Sequence, residues 1–189
     1  MPLDLDTAVL GAFTVEDGRY ALPRLRGEGG RMLQYDRGDV GRIEGIAIHH
    51  TVTGLDTSPE VLARYHVDVN HWPAIGYHVL VYRHGRVVWC LDLEEWGAHV
   101  WGRNDHLWGV AMVGNWSQAP PTQEHLRHTY RVVAELQTIR GEFLPVDGHA
   151  GWALPGHGTA CPGVTSPNWL DVLQRRGVDQ DALWQFHTE

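Results

Sequence analysis

Short apolar runs bounded by polar and glycine-containing turns recur along the first two thirds of the chain and predict buried β-strands. The first run is almost wholly apolar, which is typical of an interior strand covered on both faces. Two alternating segments then flank the turn at His84 and Gly85, an arrangement that indicates a hairpin. The predicted strands cover 43–50, 76–82, 86–91 and 109–114.

Helical spacing of apolar residues appears in two longer segments, each with a recognisable start. The segment 56–59 offers a hydroxyl cap and a proline for the first turn, and the helix that follows ends before Pro73. A second helix is predicted at 123–140, capped by Thr122. Two short closing helices are predicted at 168–176 and 179–186.

Side chains alternate between the two faces of a strand, and this constrains the polar residues that the strands carry. His49 shares its face with a small alanine, which leaves room for a site. His50 lies on the bulkier opposite face and is interpreted as structural. In the next strand, Tyr77 is predicted to share its face with Val79 and Val81.

Strands and helices follow one another over 189 residues, a length that suits a single domain. We expect one α/β domain with a central mixed β-sheet flanked by helices. Residues 1–42 are loosely patterned and are interpreted as an N-terminal arm packed on a core at 43–175. The sequence contains no repeat, linker or low-complexity segment, so no separate binding domain is expected.

Charge and hydropathy indicate which partners and which location to expect for the protein. The formal net charge is -8, which disfavours a nucleic-acid partner. All fifteen basic residues are arginine, so no lysine is available for catalysis. No apolar segment approaches the roughly 20 residues that a membrane-spanning helix needs. The acidic N-terminus lacks the basic and apolar regions of a signal peptide. We therefore expect a protein that is made in the cytoplasm and does not bind a membrane. A monomer is also expected.

The glycine- and proline-rich segment 156–163 carries the strongest indication of a metal site. Cys161 lies within it, His149 precedes it, and His49 comes at the end of the first apolar run. Thiolate and imidazole are donors that zinc prefers. Two histidines and one cysteine leave the fourth tetrahedral position for water, as in catalytic zinc sites. His157, shortly before the cysteine, is a rival for the second histidine position.

A long polar and aromatic loop is predicted before the strand at 109–114. A loop of this kind is more often a binding element than packing material. Trp101, which is followed by glycine, is predicted to bind a substrate as the wall of a groove. The loop carries Trp96, His99, Trp101, Asn104, His106 and Trp108.

Three ordered stretches of the sequence resemble the zinc-dependent N-acetylmuramoyl-L-alanine amidases, which include small phage endolysins and the animal peptidoglycan recognition proteins. The resemblance covers about residues 43–175 and implies the amidase fold. The stretches are Ile-Ala-Ile-His-His-Thr at 46–51, Gly-Tyr-His-Val at 76–79 with Gly-Ala-His at 97–99 and Gly-Asn at 114–115, and Gly-His at 148–149 with Thr-Ala-Cys-Pro-Gly at 159–163.

The resemblance implies one zinc ion per chain with three protein ligands. His49 is the first ligand, His149 the second and Cys161 the third. The separation of the last two is longer than in many members, which keeps His157 as a rival ligand. His149 is preferred because it follows Gly148, as the family histidine follows its glycine.

The resemblance also implies catalytic and substrate-binding residues. Tyr77 resembles the family's catalytic tyrosine, and His99 and Asn104 resemble positions that line the peptide groove. Thr159 stands where some members carry a lysine, and we expect it to be catalytic beside Tyr77, as in recognition proteins and several endolysins. Ala111 stands where the cytoplasmic muropeptide-recycling amidases carry a glutamate.

These features together predict hydrolysis of the amide bond between N-acetylmuramic acid and L-alanine in bacterial peptidoglycan. The protein is expected to be a phage-type endolysin that is released to the cell wall by another agent. Two alternatives remain, a non-catalytic peptidoglycan-binding module and a recycling amidase. A zinc peptidase of another fold is disfavoured because the sequence contains no His-Glu-x-x-His motif.

Overall fold

Across the described part of the chain, six strands form a central mixed β-sheet. The computed structural model describes residues 14–164 and 169–174. The strands are β1 (Thr14–Asp17), β2 (Gly45–His50), β3 (Val79–Val81), β4 (Arg86–Trp89), β5 (Leu107–Met112) and β6 (Val146–Gly148). They lie in the order β1-β4-β3-β5-β2-β6. The helices are α1 (Pro59–Arg64), α2 (Gln123–Arg140), α3 (His149–Trp152) and α4 (Leu170–Gln174).

Strand β2 occupies an interior position, paired in parallel with β5 on one side and with β6 on the other. Every residue of β2 is buried, as expected for an apolar strand covered on both faces. The hairpin of β3 and β4 is antiparallel, and the remaining pairings of described strands are parallel. The predicted central mixed sheet flanked by helices is therefore confirmed.

The two faces of the sheet pack against different helices. Ile46 and Ile48 point towards α2 and α4 and join the larger apolar cluster. Leu80 and Ala111 belong to a second cluster, which includes Leu62 of α1. The candidate site lies on this second side, so α1 and the chain that follows it form part of its surroundings.

The predicted starts of α1 and α2 are confirmed. The Ser58 hydroxyl accepts a hydrogen bond from the amide of Val61 at 3.4 Å, and Pro59 occupies the first turn of α1. After α1 the chain makes one wider turn of π-helix, Tyr65–Val69. Helix α2 has the predicted bounds, with Thr122 as its N-terminal cap. It ends at Gly141, whose φ of 72° is accessible to glycine at little cost.

The N-terminal arm contributes a strand that the sequence pattern did not predict. Strand β1 pairs in parallel with β4 and forms one edge of the sheet. Arg24 then forms two hydrogen bonds with the carboxylate of Glu95, at 2.9 and 3.0 Å, and both side chains are almost wholly buried. A paired strand and a buried ion pair thus hold residues 14–42, the described part of the arm, to the rest of the protein.

The predicted face of Tyr77 is wrong. Tyr77 packs with the cluster that contains Leu80, whereas Val79 and Val81 belong to the cluster on the other side of the sheet. Regular alternation holds only within a strand, and β3 begins at Val79, two residues after the tyrosine. Tyr77 therefore lies on the side of the sheet that holds the candidate site.

The segment around His149 is more regular than the predicted loop. It forms β6 and then one turn of helix, α3, before the loop that carries Cys161. The first closing helix is present as α4, and the second, at 179–186, lies outside the described residues. Within the described ranges, no helix combines the length and apolarity needed to cross a membrane.

Candidate metal centre and its cleft

Two histidines lie side by side at the carboxyl ends of the parallel strands β2 and β6. Ile48 pairs with Gly148, and a histidine follows each of them in the sequence. His49 is only 1% exposed, and its ring centroid lies 4.8 Å from that of His149. The register of the two strands therefore brings two imidazoles to one edge of the sheet, where ligands of such sheets commonly bind.

Cys161 completes this group, and the three residues together are called the candidate metal centre. The Sγ atom of Cys161 lies 3.7 Å from Nδ1 of His49. One ligand atom from each of His49, His149 and Cys161 lies within 4.8 Å of the other two. Two hydrogen bonds hold the loop, since Ala150 N donates to Cys161 O at 2.8 Å and Cys161 N donates to the side-chain Oγ1 of Thr159 at 3.1 Å.

The donor set fits a zinc ion. Tetrahedral zinc holds nitrogen at about 2.0 Å and sulfur at about 2.3 Å, which separates the two donors by about 3.5 Å. The separation of 3.7 Å between His49 and Cys161 is close to that value. Burial lowers the pKa of His49 well below its usual range and also lowers that of His149, so both imidazoles are neutral. Burial raises the pKa of the Cys161 thiol to about 11, so a metal must displace its proton.

His99 lies against His49 and is 7% exposed. Its Nδ1 is 3.3 Å from Nε2 of His49, and its Nε2 is 3.2 Å from the carbonyl oxygen of Leu107. Asn104 accepts hydrogen bonds through Oδ1 from the amides of His99 and Val100, at 2.9 and 2.8 Å. Both His99 and Asn104 therefore make contacts within the protein, and their contact with a substrate stays a prediction.

Tyr77 lies on the cleft beside His49. The ring centroid of Tyr77 is 5.1 Å from that of His49 and 5.4 Å from that of His66. Burial, and secondarily the charge of Cys161, raise the pKa of Tyr77. The hydroxyl of Tyr77 therefore keeps its proton at neutral pH and is available as a hydrogen-bond donor.

His66 lines the same cleft and was not singled out in the sequence. Its Nδ1 accepts a hydrogen bond from the amide of Gly76 at 3.0 Å, so Nε2 carries the proton in the neutral ring. Burial lowers the pKa of His66 to about 4. The sequence does contain an indication of this position. His66 follows the apolar Leu62 by four residues, so helical spacing places its polar ring on the buried face of the helix.

The candidate metal centre opens into a cleft of about 690 Å³. This volume is typical of small-molecule sites. Thr159 lines the cleft near the centre, and three exposed apolar residues extend it. These residues are Val52, Val61 and Tyr65. The cleft therefore combines the polar side chains of the candidate metal centre with an apolar surface.

His157 stacks on Trp101, away from the candidate metal centre. Their ring centroids are 5.4 Å apart and their planes differ by 20°. Trp101 is nevertheless 69% exposed. The loops that carry Trp101 and His157 also meet where Leu154 packs over Gly102. A Cβ added at Gly102 would lie 2.8 Å from Cδ1 of Leu154. Of the two rival histidines, the structure brings His149 and not His157 to the candidate metal centre.

Comparison with known proteins identifies the family. The model of the N-acetylmuramoyl-L-alanine amidase family matches residues 39–164. The chain belongs to this family. The human N-acetylmuramoyl-L-alanine amidase is 38% identical over 131 residues, which are 62% of this chain and 22% of the human protein. Mouse peptidoglycan recognition protein 3 is 31% identical over 88 residues, which are 43% of this chain and 25% of the mouse protein. The chain thus matches a quarter or less of the length of these two relatives.

Solved structures of the amidase and recognition-protein group share the fold. The Ph2119 endolysin, from a bacteriophage of Thermus scotoductus, superposes with a TM-score of 0.69 at 24% identity, over 85% of this chain and 99% of the endolysin. The complex of peptidoglycan recognition proteins LCa and LCx with tracheal cytotoxin superposes with a TM-score of 0.60 at 25% identity, over 71% of this chain and 85% of the matched chain.

Proposed function

We propose that this protein is a zinc-dependent amidase that hydrolyses the bond between N-acetylmuramic acid and L-alanine in bacterial peptidoglycan. The convergence of His49, His149 and Cys161 in an open cleft carries this proposal. Membership of the amidase family supports the reaction class, and the names of its relatives support peptidoglycan as the substrate.

The candidate metal centre would hold one zinc ion per chain. His49 and His149 would supply neutral imidazole nitrogens and Cys161 a thiolate, which leaves a fourth position open. When bound, zinc supplies Lewis acidity to a water nucleophile and to the scissile carbonyl.

Tyr77 and Thr159 are the proposed catalytic side chains. The hydroxyl of Tyr77 remains protonated, so it is suited to orienting the attacking water or donating to the oxyanion that forms on the carbonyl. Thr159 accepts from the amide of Cys161 through Oγ1, which leaves its own hydroxyl proton available for the same oxyanion. Neither role requires a lysine, and the chain has none.

The groove for the substrate is proposed to extend from the cleft to Trp101. Stacking on His157 fixes the plane of the indole, and its large exposed area is available to a sugar ring or a peptide. His99 and Asn104 are proposed to lie along the peptide groove, and the proposal is supported by His99 lining the cleft and by Asn104 holding the loop of His99.

A phage-type endolysin, acting as a monomer on the cell wall after release from the cytoplasm, is the biological role that we favour. The likeness in fold to the Ph2119 endolysin is consistent with it. The recycling alternative is disfavoured because Ala111, the register partner of His49, stands where recycling amidases carry a glutamate. The non-catalytic alternative is disfavoured because Cys161 lies beside both histidines.

Digestion of purified sacculi by the zinc-loaded protein tests the proposed reaction. We expect new α-amino groups of L-alanine to appear and no new reducing sugar ends. Soluble anhydromuropeptides serve as the matched substrate for the recycling alternative. Rapid cleavage of these fragments with intact sacculi left untouched would replace the endolysin role. The absence of cleavage in both substrates, with one zinc bound, would favour the binding module.

A further inference from the structure

His99 makes two hydrogen-bonding contacts that bear on the candidate metal centre. The ring lies between the carbonyl oxygen of Leu107, 3.2 Å from Nε2, and the ring of His49, with 3.3 Å between Nδ1 of His99 and Nε2 of His49. Both histidines are almost wholly buried, at 1% for His49 and 7% for His99. Their proton positions are therefore set by these neighbours and not by solvent.

The positions of the protons follow from the carbonyl group. The oxygen of Leu107 can only accept, so Nε2 of His99 carries the ring proton and donates it. In the neutral ring Nδ1 of His99 is then an acceptor, and the facing Nε2 of His49 must be the donor. Nδ1 of His49 is left without a proton, and this atom lies 3.7 Å from Sγ of Cys161. The lone pair of His49 is thus presented to the candidate metal centre.

The surroundings of His99 hold its ring in this position. A Cβ at Gly109 would lie 2.7 Å from Cγ of His99, so the glycine on β5 allows the ring to approach the sheet. Asn104 fixes the backbone on the other side by accepting from the amide of His99 at 2.9 Å. The rings of His78 and His99 are nearly perpendicular, with centroids 5.6 Å apart. These contacts position His99 for the bond to His49.

We propose that His99 is a positioning residue that fixes the tautomer and orientation in which His49 presents Nδ1 to the metal. The inference rests on the proposed zinc site and deepens it. Partners of metal-bound histidines that act in this way commonly change metal affinity by about 10–100-fold when they are removed. A role limited to packing, or to contact with the peptide, would leave metal affinity unchanged.

Two substitutions of similar size separate these roles. In His99→Asn, the side-chain oxygen replaces the acceptor at Nδ1 and can still accept from His49, while the donor to Leu107 is lost. In His99→Gln, the side-chain amide reaches the position of Nε2 and can still donate to Leu107, while the acceptor for His49 is lost. His125→Gln serves as a control, because His125 is buried, bonds to the carbonyl of Val81 and lies outside the cleft.

Zinc affinity is measured by competition with a chelator for the parent and the three variants. We expect His99→Gln to bind zinc about 10–100-fold more weakly. We expect His99→Asn and the His125→Gln control to stay within about threefold of the parent, since neither loses the acceptor that faces His49. Equal affinities of the two His99 variants, or weaker binding by the Asn variant alone, would overturn the inference.

The tautomer of His49 in the zinc-free parent provides a second measurement. It needs neither an activity assay nor a substituted protein that folds correctly. Long-range ¹H–¹⁵N NMR correlations are expected to place the proton of His49 on Nε2. A proton on Nδ1 would overturn the inference even if zinc binds. A parent that binds no zinc would instead contradict the proposed function, and the tautomer would still decide the role of His99.

Discussion

Ile48 pairs with Gly148 across two parallel strands, and this pairing places His49 and His149 side by side although they are far apart in the sequence. Their ring centroids are 4.8 Å apart. Cys161 reaches the same point from a loop that hydrogen-bonds to the start of α3. The three donors therefore depend on strand register and on one short loop.

Replacement of the two rival histidines tests which one is the second metal ligand. We expect His149→Ala to lose most of its zinc, because one of three protein donors is gone. His157→Ala is the matched control and is expected to keep one zinc per chain, since His157 stacks on Trp101. Elemental analysis after dialysis measures both. Full zinc in His149→Ala together with loss in His157→Ala would contradict the assignment.

The sequence predicted the elements whose signals are local. Helix α2 has the predicted bounds because a threonine cap and a glycine end both act within a few residues of the helix. Strand β2 was predicted from its apolar run, and the placement of His49 and His50 on opposite faces also holds. His50 accepts from the amide of Trp116, whereas His49 faces Cys161.

Features that depend on tertiary contacts were not predictable in this way. Strand β1 exists because it pairs with β4, and its own sequence gives little indication of a strand. Tyr77 lies outside the regular part of β3, so alternation gave the wrong face. The bond from His49 to His99 joins residues fifty positions apart in sequence, and only the folded arrangement brings them together.

Removal of the Tyr77 hydroxyl separates catalysis from metal binding. Tyr77→Phe keeps the ring and its packing, so the fold and zinc content are expected to survive. Loss of one positioned donor typically costs about 10²–10³ in rate. Release of L-alanine amino groups and zinc content are measured on the same preparation. Turnover near that of the parent would reduce Tyr77 to a packing residue.

Tyr35→Phe provides the matched control for that substitution. Tyr35 packs on the same apolar cluster as Tyr77, but its hydroxyl donates to the carbonyl of Ala74 at 2.8 Å. We expect this variant to lose about 1 kcal/mol in the free energy of unfolding and to keep its turnover. A similar loss of turnover in both variants would show that the effect of Tyr77→Phe is general.

Substitution of Trp101 tests the proposed groove wall. Trp101→Ala removes an exposed aromatic surface whose contacts with a ring are worth about 0.5–1.5 kcal/mol. We expect KM for peptidoglycan fragments to rise by about 2–10-fold, with kcat and zinc content unchanged. Trp101→Phe keeps an aromatic ring and is expected to fall between the parent and the alanine variant. An unchanged KM in Trp101→Ala would place the groove elsewhere.

Buried neutral histidines make the stability of the fold sensitive to acid. Burial lowers the pKa of His125 to about 4, below the usual value near 6.5. The unfolded chain therefore binds the proton more tightly. The contribution of neutral His125 to the free energy of unfolding is fully present above pH 6.5. It is lost progressively as pH falls towards 4, at about 1.4 kcal/mol per pH unit.

Urea unfolding of the zinc-free parent and of His125→Gln at pH 6.5 and 5.5 measures this contribution. Other buried histidines, including His66 and His78, remain in both proteins and share the same direction. Between pH 6.5 and 5.5, the free energy of unfolding is expected to fall in both proteins. We expect the fall to be smaller in the glutamine variant than in the parent, by up to about 1.4 kcal/mol. Equal losses in the two proteins would mean that His125 does not titrate on unfolding.

Stoichiometric restoration of activity by zinc tests the central claim most directly. The protein is stripped with a chelator, zinc is added back in fractions of an equivalent, and release of L-alanine amino groups from sacculi is followed for the parent and for Cys161→Ala. We predict that the activity of the parent rises with zinc and levels off at one equivalent per chain, while Cys161→Ala stays inactive. Full activity of the stripped parent, or of Cys161→Ala, would contradict the assignment of His49, His149 and Cys161 as a catalytic zinc site.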